Sequence, residues 1–177
     1  MRTLAIMRHG EVEDSDDIFA DVGLTRAGRG QSFRRAGELA QVFGGTKPFV
    51  GHSPLLRTTQ TAQIVANRFM GRFNFKKGHI TPLNDLHEAN QLGFAQGPGQ
   101  HIPNDVQNVL LVTHMPNSIN YTKELMGEDF FHPLGSEPVE HLHENLGGAE
   151  AVVMRFDSGD WNTLGKPNSY EFLRNGL

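Results

Sequence analysis

Two short apolar runs along the chain end abruptly in charged or polar residues. Residues 3–7 lead directly into Arg8, and residues 109–112 lead into Thr113 and His114. Uninterrupted apolar runs of this length are typical of strands that are covered on both faces of a sheet. We therefore expect two buried strands here, and two weaker ones at residues 48–50 and 151–156.

Three other segments carry apolar residues at helical spacing, and glycines or polar loops separate them. The first follows Thr25, a favourable N-cap residue, and is stopped by Gly44 and Gly45. The second begins near Ser53 and Pro54, and the third covers residues 117–126. The expected buried positions of the first two helices are Phe33, Ala36, Ala40 and Phe43, and Leu55, Ala62, Val65, Ala66 and Phe69.

Strands that alternate with helices predict an α/β domain in which helices cover a largely parallel sheet. In such folds ligands bind beyond the carboxyl ends of the strands, where Arg8, His9 and His114 would emerge. Residues 11–23, 71–108 and 127–148 show little regular pattern, and we expect mostly loops there. No domain boundary is evident, so a single domain over residues 1–177 is expected.

Composition narrows the function classes. The 177 residues are 37% hydrophobic and carry a formal net charge of -4, which fits a globular protein without the basic surplus of a nucleic-acid binder. The absence of cysteine excludes disulfides, thiolate metal sites and cysteine nucleophiles. No apolar run approaches a signal-peptide core or a membrane span, so we expect a cytoplasmic protein with no membrane partner.

Three segments could together form an anion site. Arg8 and His9 end the first strand before Gly10, Arg57 falls in the first turn of the second helix, and His114 ends the best strand. Each alone is more often structural, as a solvated arginine or a strand-end histidine bonded to backbone. Together they would supply the donors and charge that phosphoryl transfer needs, and a neutral histidine could attack phosphorus.

The motifs resemble those of the histidine phosphatase superfamily, whose fold is that of phosphoglycerate mutase. The matching blocks, in the family's order, are Arg8-His9-Gly10, Leu24-Thr25-x-x-Gly28-x-x-Gln31, Ser53-Pro54-Leu55-x-Arg57-Thr58-x-Gln60-Thr61-Ala62 and Val112-Thr113-His114-Met115-Pro116. Thr113 departs from the family's more usual glycine before the second histidine. Residues 147–156 followed by Trp161 resemble the small SixA-like branch, which acts on phosphohistidine of signalling proteins.

The resemblance implies a three-layer α/β sandwich and a phosphatase that needs no metal and no cofactor. His9 would be transiently phosphorylated, and Arg8, Arg57, His114 and the close backbone at Gly10 would bind the phosphoryl group. The substrate would be a phosphorylated small molecule or a phosphohistidine protein, and oligomeric state is left open. Two alternatives remain: a phosphoglycerate-type mutase, and a catalytically silent module that binds phosphate or phosphoproteins.

The proton donor for the leaving group is the open part of this assignment. Glu88, in Leu86-His87-Glu88, resembles the family's acid and is the first choice, Asp85 is the second, and an ordinary loop carboxylate is an almost equal alternative. His132, His141 and His143 have no clear carboxylate partners, so we expect surface histidines there rather than a metal site.

Overall fold

A mixed six-stranded sheet forms the centre of the molecule. The computed structural model describes residues 1–16, 20–75, 80–87, 92–127, 148–157 and 159–174. The strand order is β3-β2-β4-β1-β5-β6. The strands β3, β2, β4 and β1 are mutually parallel, β5 runs antiparallel to β1, and β6 runs antiparallel to β5. The strands are β1 (Arg2–Arg8), β2 (Phe49–His52), β3 (Ile80–Pro82), β4 (Asn108–Thr113), β5 (Ala151–Phe156) and β6 (Ser169–Leu173).

Three helices of the described residues flank this sheet: α1 (Arg26–Val42), α2 (Leu56–Phe73) and α3 (Asn117–Met126). Side chains of β1 alternate between the two faces, so Leu4 and Ile6 join one apolar cluster while Ala5 and Met7 join the other. The first cluster includes residues of α3, and the second includes residues of α1 and α2. The expected α/β sandwich, with helices on both sides of a largely parallel sheet, is confirmed.

The first helix begins where the sequence predicts. Thr25 caps it, because its hydroxyl accepts the Gly28 N–H at 2.9 Å. The expected buried face is right for Ala36, Ala40 and Phe43 but wrong for Phe33, which is 52% exposed. The Phe33 ring instead lies beneath the guanidinium of Arg68 on α2, 4.9 Å from the ring centroid.

The irregular segments contain more structure than their patterns indicate. Residues 71–108, expected to be mostly loop, include β3 and two short 3-10 helices, Asn84–Leu86 and Pro98–His101. The strand β6 was not predicted either. Both strands are short edges of the sheet and lack the continuous apolar run that marks β1 and β4, because none of their residues is fully buried.

Close glycine packing holds the start of α1 against the turn after β1. A Cβ on Gly28 would lie 2.0 Å from the carbonyl oxygen of Glu11, and a Cβ on Gly10 would lie 2.4 Å from that of Gly28. The backbone amide of Glu11 also donates to Gln31 Oε1 at 3.0 Å. The turn after His9 can therefore approach the helix only because both positions lack a side chain.

Gly28→Ala should consequently destabilise the protein by roughly 1–3 kcal/mol, the usual cost of overpacking. It should also lower activity, because the displaced turn carries His9. Gly37, on the same helix, is the matched control, since a Cβ there would meet nothing within 4 Å. Gly37→Ala should be neutral or stabilising by up to about 1 kcal/mol. Urea unfolding of both variants tests this, and equal stability of the two would contradict it.

Candidate active site

The strand register brings the distant histidines together. Arg8 pairs with Thr113 across the parallel β1–β4 ladder, and the His9 N–H donates to the Thr113 carbonyl at 3.1 Å. The next residue of each strand is a histidine, and the rings of His9 and His114 lie 5.3 Å apart between centroids. Both side chains are buried, 7% and 1% exposed. The predicted meeting of these residues at the carboxyl end of the sheet is thus present.

His9 is held in the tautomer that a nucleophile requires. Its Nδ1 lies 2.7 Å from the Gly10 carbonyl oxygen, which can only accept, so Nδ1 carries the proton. The lone pair is then on Nε2. Burial is the main effect that lowers the pKa of His9 to about 4; the Gly10 hydrogen bond opposes it, and the nearby charges of Arg8 and Arg57 add to it. The ring is neutral at physiological pH, which leaves Nε2 able to attack.

His114 is oriented by two hydrogen bonds from α2 and its preceding loop. Arg57 Nε donates to His114 Nδ1 at 3.3 Å, so the ring proton is on Nε2, which donates to Ser53 Oγ at 2.8 Å. Burial and then the neighbouring His9 ring and Arg57 lower the pKa of His114 to about 3. A bound phosphoryl dianion would oppose these effects and favour the charged, donating form.

The two arginines reach the site from different elements. Arg8 is the last residue of β1, and burial lowers the pKa of its guanidinium, an effect that Glu150 opposes and Arg57 reinforces. Arg57 lies in the first turn of α2, with Nη1 3.9 Å from Asp21 Oδ1. The same Asp21 oxygen accepts the Leu56 N–H at 2.7 Å. An acidic loop residue therefore stabilises the start of α2 beside the site.

These side chains line one pocket of about 380 Å³, which contains Arg8, His9, Arg57 and His114 together with Glu13 and Asp14 from the acidic segment. The wall is therefore cationic on the side of the strand ends and acidic on the side of the loop. A phosphoryl group fits the first side. The second side would repel additional negative charge on a ligand.

Several residues that support the site carried no separate prediction. Ser53 binds His114, Thr61 Oγ1 accepts the Gly10 N–H at 3.1 Å, and the buried Glu150 opposes the charge on Arg8. Gln60 Oε1 accepts the Leu24 N–H at 2.8 Å and so ties the acidic loop to α2. Their positions within the sequence segments that resemble the family were the only signal from which a supporting role could have been predicted. The contacts that define this role depend on the tertiary structure.

The expected acids have different outcomes. Asp85 Oδ2 lies 2.7 Å from His101 Nε2, and Asp85 is not among the residues that line the pocket. Glu88, like His132, His141 and His143, lies outside the described residues. The preceding His87 is close enough to lower the pKa of His114, and its carbonyl accepts from Asn117 Nδ2 at 2.8 Å. The segment that ends at His87 is therefore held beside His114 by this hydrogen bond.

Within the part of the chain that the structure describes, no group of three or more His, Asp or Glu side chains is arranged to hold a metal ion. Among the helices of those residues, none combines the length and the apolar character that crossing a bilayer requires.

The two depressed imidazole pKa values predict a pH dependence of stability. Below pH 6.5 the unfolded chain takes up protons at these histidines, whereas the folded chain does not until about pH 4 for His9 and about 3 for His114. The free energy of unfolding should therefore fall as the pH drops, by roughly 1–2 kcal/mol for each imidazole between pH 7 and 5. Urea unfolding at the two pH values measures this.

His114→Gln should show a smaller loss than the wild type, while His101→Gln, at a 51% exposed side chain, should not. Nitrogen-detected NMR of the imidazoles gives a direct check, with His9 protonated on Nδ1 and His114 on Nε2 at pH 6. A charged His9 ring at that pH would refute the assignment.

The family model described as the histidine phosphatase superfamily (branch 1) matches residues 4–91, about half of the chain. This range includes Arg8, His9 and Arg57. No curated protein matches the sequence closely enough to be counted as a relative.

Solved structures show the same fold. A protein assigned as the phosphohistidine phosphatase SixA of Agrobacterium tumefaciens is 20% identical, with a TM-score of 0.64 and coverage of 97% of this chain and 95% of the other. The protein histidine phosphatase SixA complexed with tungstate is also 20% identical, with a TM-score of 0.62 and 95% coverage of both chains.

A phosphoglycerate mutase from Plasmodium falciparum is 15% identical, with a TM-score of 0.57 and coverage of 99% of this chain and 90% of the other. At such identities the similarity concerns the fold, while the family model concerns the sequence of the segment that holds the strand-end motif and the second arginine. On these grounds the chain belongs to the histidine phosphatase superfamily.

Proposed function

We propose that this protein hydrolyses a phosphomonoester or a protein phosphohistidine through a phosphohistidine formed on His9. Its family is one of phosphatase enzymes. The observation that carries the proposal is the convergence of two arginines and two imidazoles around one pocket, with His9 Nε2 unprotonated. Such a pocket offers a nucleophile and dense positive charge to the same phosphoryl group.

The reaction would have two steps. His9 Nε2 attacks phosphorus, the bond to the leaving group breaks, and that group departs with a proton from the general acid, for which Glu88 is the first candidate. Water then attacks the phosphorus of phosphohistidine, and the N–P bond breaks to release inorganic phosphate and neutral His9. Arg8, Arg57 and His114 would bind the equatorial oxygens and stabilise the charge that develops on them.

The acidic side of the pocket favours one substrate class. Glu13 and Asp14 share the pocket with the cationic groups, so a substrate with further negative charge, such as a phosphorylated carboxylic acid, would be repelled. The leaving imidazole of a phosphohistidine is neutral or, once protonated, positive, and it would be attracted. This supports protein phosphohistidine over the mutase alternative.

The structure of SixA with tungstate indicates that a protein of this fold accepts a phosphate-like oxyanion. We further propose that the protein acts in the cytoplasm.

His9→Ala should abolish turnover of para-nitrophenyl phosphate and of a phosphohistidine protein, because the other imidazole of the pocket, His114, has both ring nitrogens in hydrogen bonds with Arg57 and Ser53. Single replacements of Arg8 or Arg57 by Ala, or of His114 by Gln, should lower kcat by about 10²–10³-fold, the usual effect of losing one donor to a developing anion. Steady-state assays give the rates. Rapid quenching after radiolabelled substrate should trap an acid-labile, alkali-stable phosphoprotein in the wild type.

His101→Ala, outside the pocket, is the matched histidine control and should retain wild-type turnover. EDTA should not inhibit. Substantial activity of His9→Ala would exclude the mechanism. Binding of phosphate without turnover or labelling would favour the silent binding module, and transfer of label to a second small molecule would favour the mutase.

Glu88→Gln tests the proposed acid. A general acid matters most when the leaving group is a strong base, so this variant should lose about 10²-fold or more in kcat/KM with an alkyl phosphate. With an aryl phosphate or a phosphohistidine protein the loss should be below tenfold. Asp85→Asn is the comparison, since the Asp85 carboxylate is engaged with His101. A selective loss in Asp85→Asn would transfer the role to that residue, and no selective loss in either would mean that neither is the acid.

A further inference from the structure

A groove of about 640 Å³ lies between α1 and α2, outside the catalytic pocket and larger than it. Three arginines line it: Arg34 from α1, and Arg68 and Arg72 from α2. All three side chains are exposed, and none has a carboxylate within ion-pair distance among the described residues. The groove therefore presents three guanidinium groups, and Phe33 beneath Arg68 adds an exposed aromatic surface.

The surrounding part of the chain is strongly biased in charge. Residues 24–75 hold one acidic side chain, Glu38, which also lines the groove and is engaged by the buried Arg35. The basic side chains in that range are Arg26, Arg29, Arg34, Arg35, Lys47, Arg57, Arg68 and Arg72. A range of net charge +7 in a chain of net charge -4 concentrates positive charge on the α1–α2 side of the sheet.

Two glycines in this groove have no evident structural reason. Gly37 and Gly71 line it from the two helices, and a Cβ on either would meet nothing within 4 Å. A glycine inside a helix costs about 1 kcal/mol relative to alanine. Gly28, by contrast, is required by a backbone contact. The absence of side chains at Gly37 and Gly71 therefore does not serve close packing within the protein, as it does at Gly28. It leaves the groove between the two helices open.

We propose that this groove is a docking site for an acidic polypeptide segment that also carries an apolar side chain. The guanidinium groups would bind carboxylates, and the part of Phe33 that stays exposed beside Arg68, together with the open surface over Gly37, would receive the apolar side chain. The overall negative charge of the protein disfavours a nucleic acid as the occupant. From the contact of Gly28 with the His9 turn, Gly37 is roughly 13 Å further along α1 at 1.5 Å per residue. A docked segment would therefore leave the catalytic pocket accessible.

The probe is a fluorescein-labelled 12-residue peptide of four Glu-Glu-Leu repeats, titrated by fluorescence anisotropy at low salt. The double variant Arg34→Glu/Arg68→Glu should bind at least tenfold more weakly than the wild type. Gly37→Leu, which fills the groove without changing charge, should bind at least fivefold more weakly with no loss in Tm. Arg26→Glu/Lys47→Glu makes the same charge change outside the groove and should bind within twofold of the wild type.

All variants should retain para-nitrophenyl phosphate turnover within twofold, which shows that they are folded and that the result is separate from the catalytic proposal. Failure of the wild type to bind the peptide would overturn the docking site. Equal weakening by the control pair would also overturn it, since it would mean diffuse attraction. Equal binding of a Gln-Gln-Leu peptide, or tighter binding of a 12-nucleotide dT strand that responds to the same variants, would exclude an acidic polypeptide as the occupant.

Discussion

The parallel pairing of β1 with β4 is the constraint on which the site depends. Because Arg8 lies opposite Thr113, the residues that follow both strands leave the sheet side by side. The connections also diverge at this point. The chain leaves β1 into α1, which packs on one face of the sheet, and it leaves β4 into α3, which packs on the other face. Divergence of this kind opens a crevice at the strand ends of α/β sheets, and His9 and His114 occupy it.

The crevice concentrates positive charge, and the structure limits the cost in two ways. Burial keeps both imidazoles neutral, with pKa values of about 4 and 3, so the two guanidinium groups carry the charge. Carboxylates then stand near each arginine: Glu150 near Arg8, and Asp21 near Arg57. A charged His9 would add repulsion and could not act as a nucleophile, so the same burial that reduces the electrostatic cost also prepares the reactive form.

Sequence patterns predicted the elements that are buried on both faces or amphipathic, together with the residues that follow them. The strands β1 and β4 and the helix ends at Thr25 and Gly44 are of this kind, because apolar runs and caps are local signals. Edge strands such as β3, and the exposure of Phe33, depend on what packs nearby. Asp85, the second candidate for the acid, is a local choice of the same kind, and its contact with His101 is visible only in the tertiary structure. The order of the motifs along the sequence grouped Arg57 with the two histidines. The tautomers of His9 and His114, by contrast, follow only from the distances between their ring nitrogens and the neighbouring atoms.

The glycines of α1 and α2 show that one residue type can have opposite physical meanings in neighbouring turns. At Gly28 the backbone of Glu11 occupies the space of a side chain, so the residue is fixed by the geometry of the turn after His9. At Gly37 and Gly71 that space is open, and the helices would gain stability from alanine. A fold alone gives no reason to keep both positions open on facing helices. An external group that occupies the space between them does, and the arginines along the same groove indicate that this group is negatively charged.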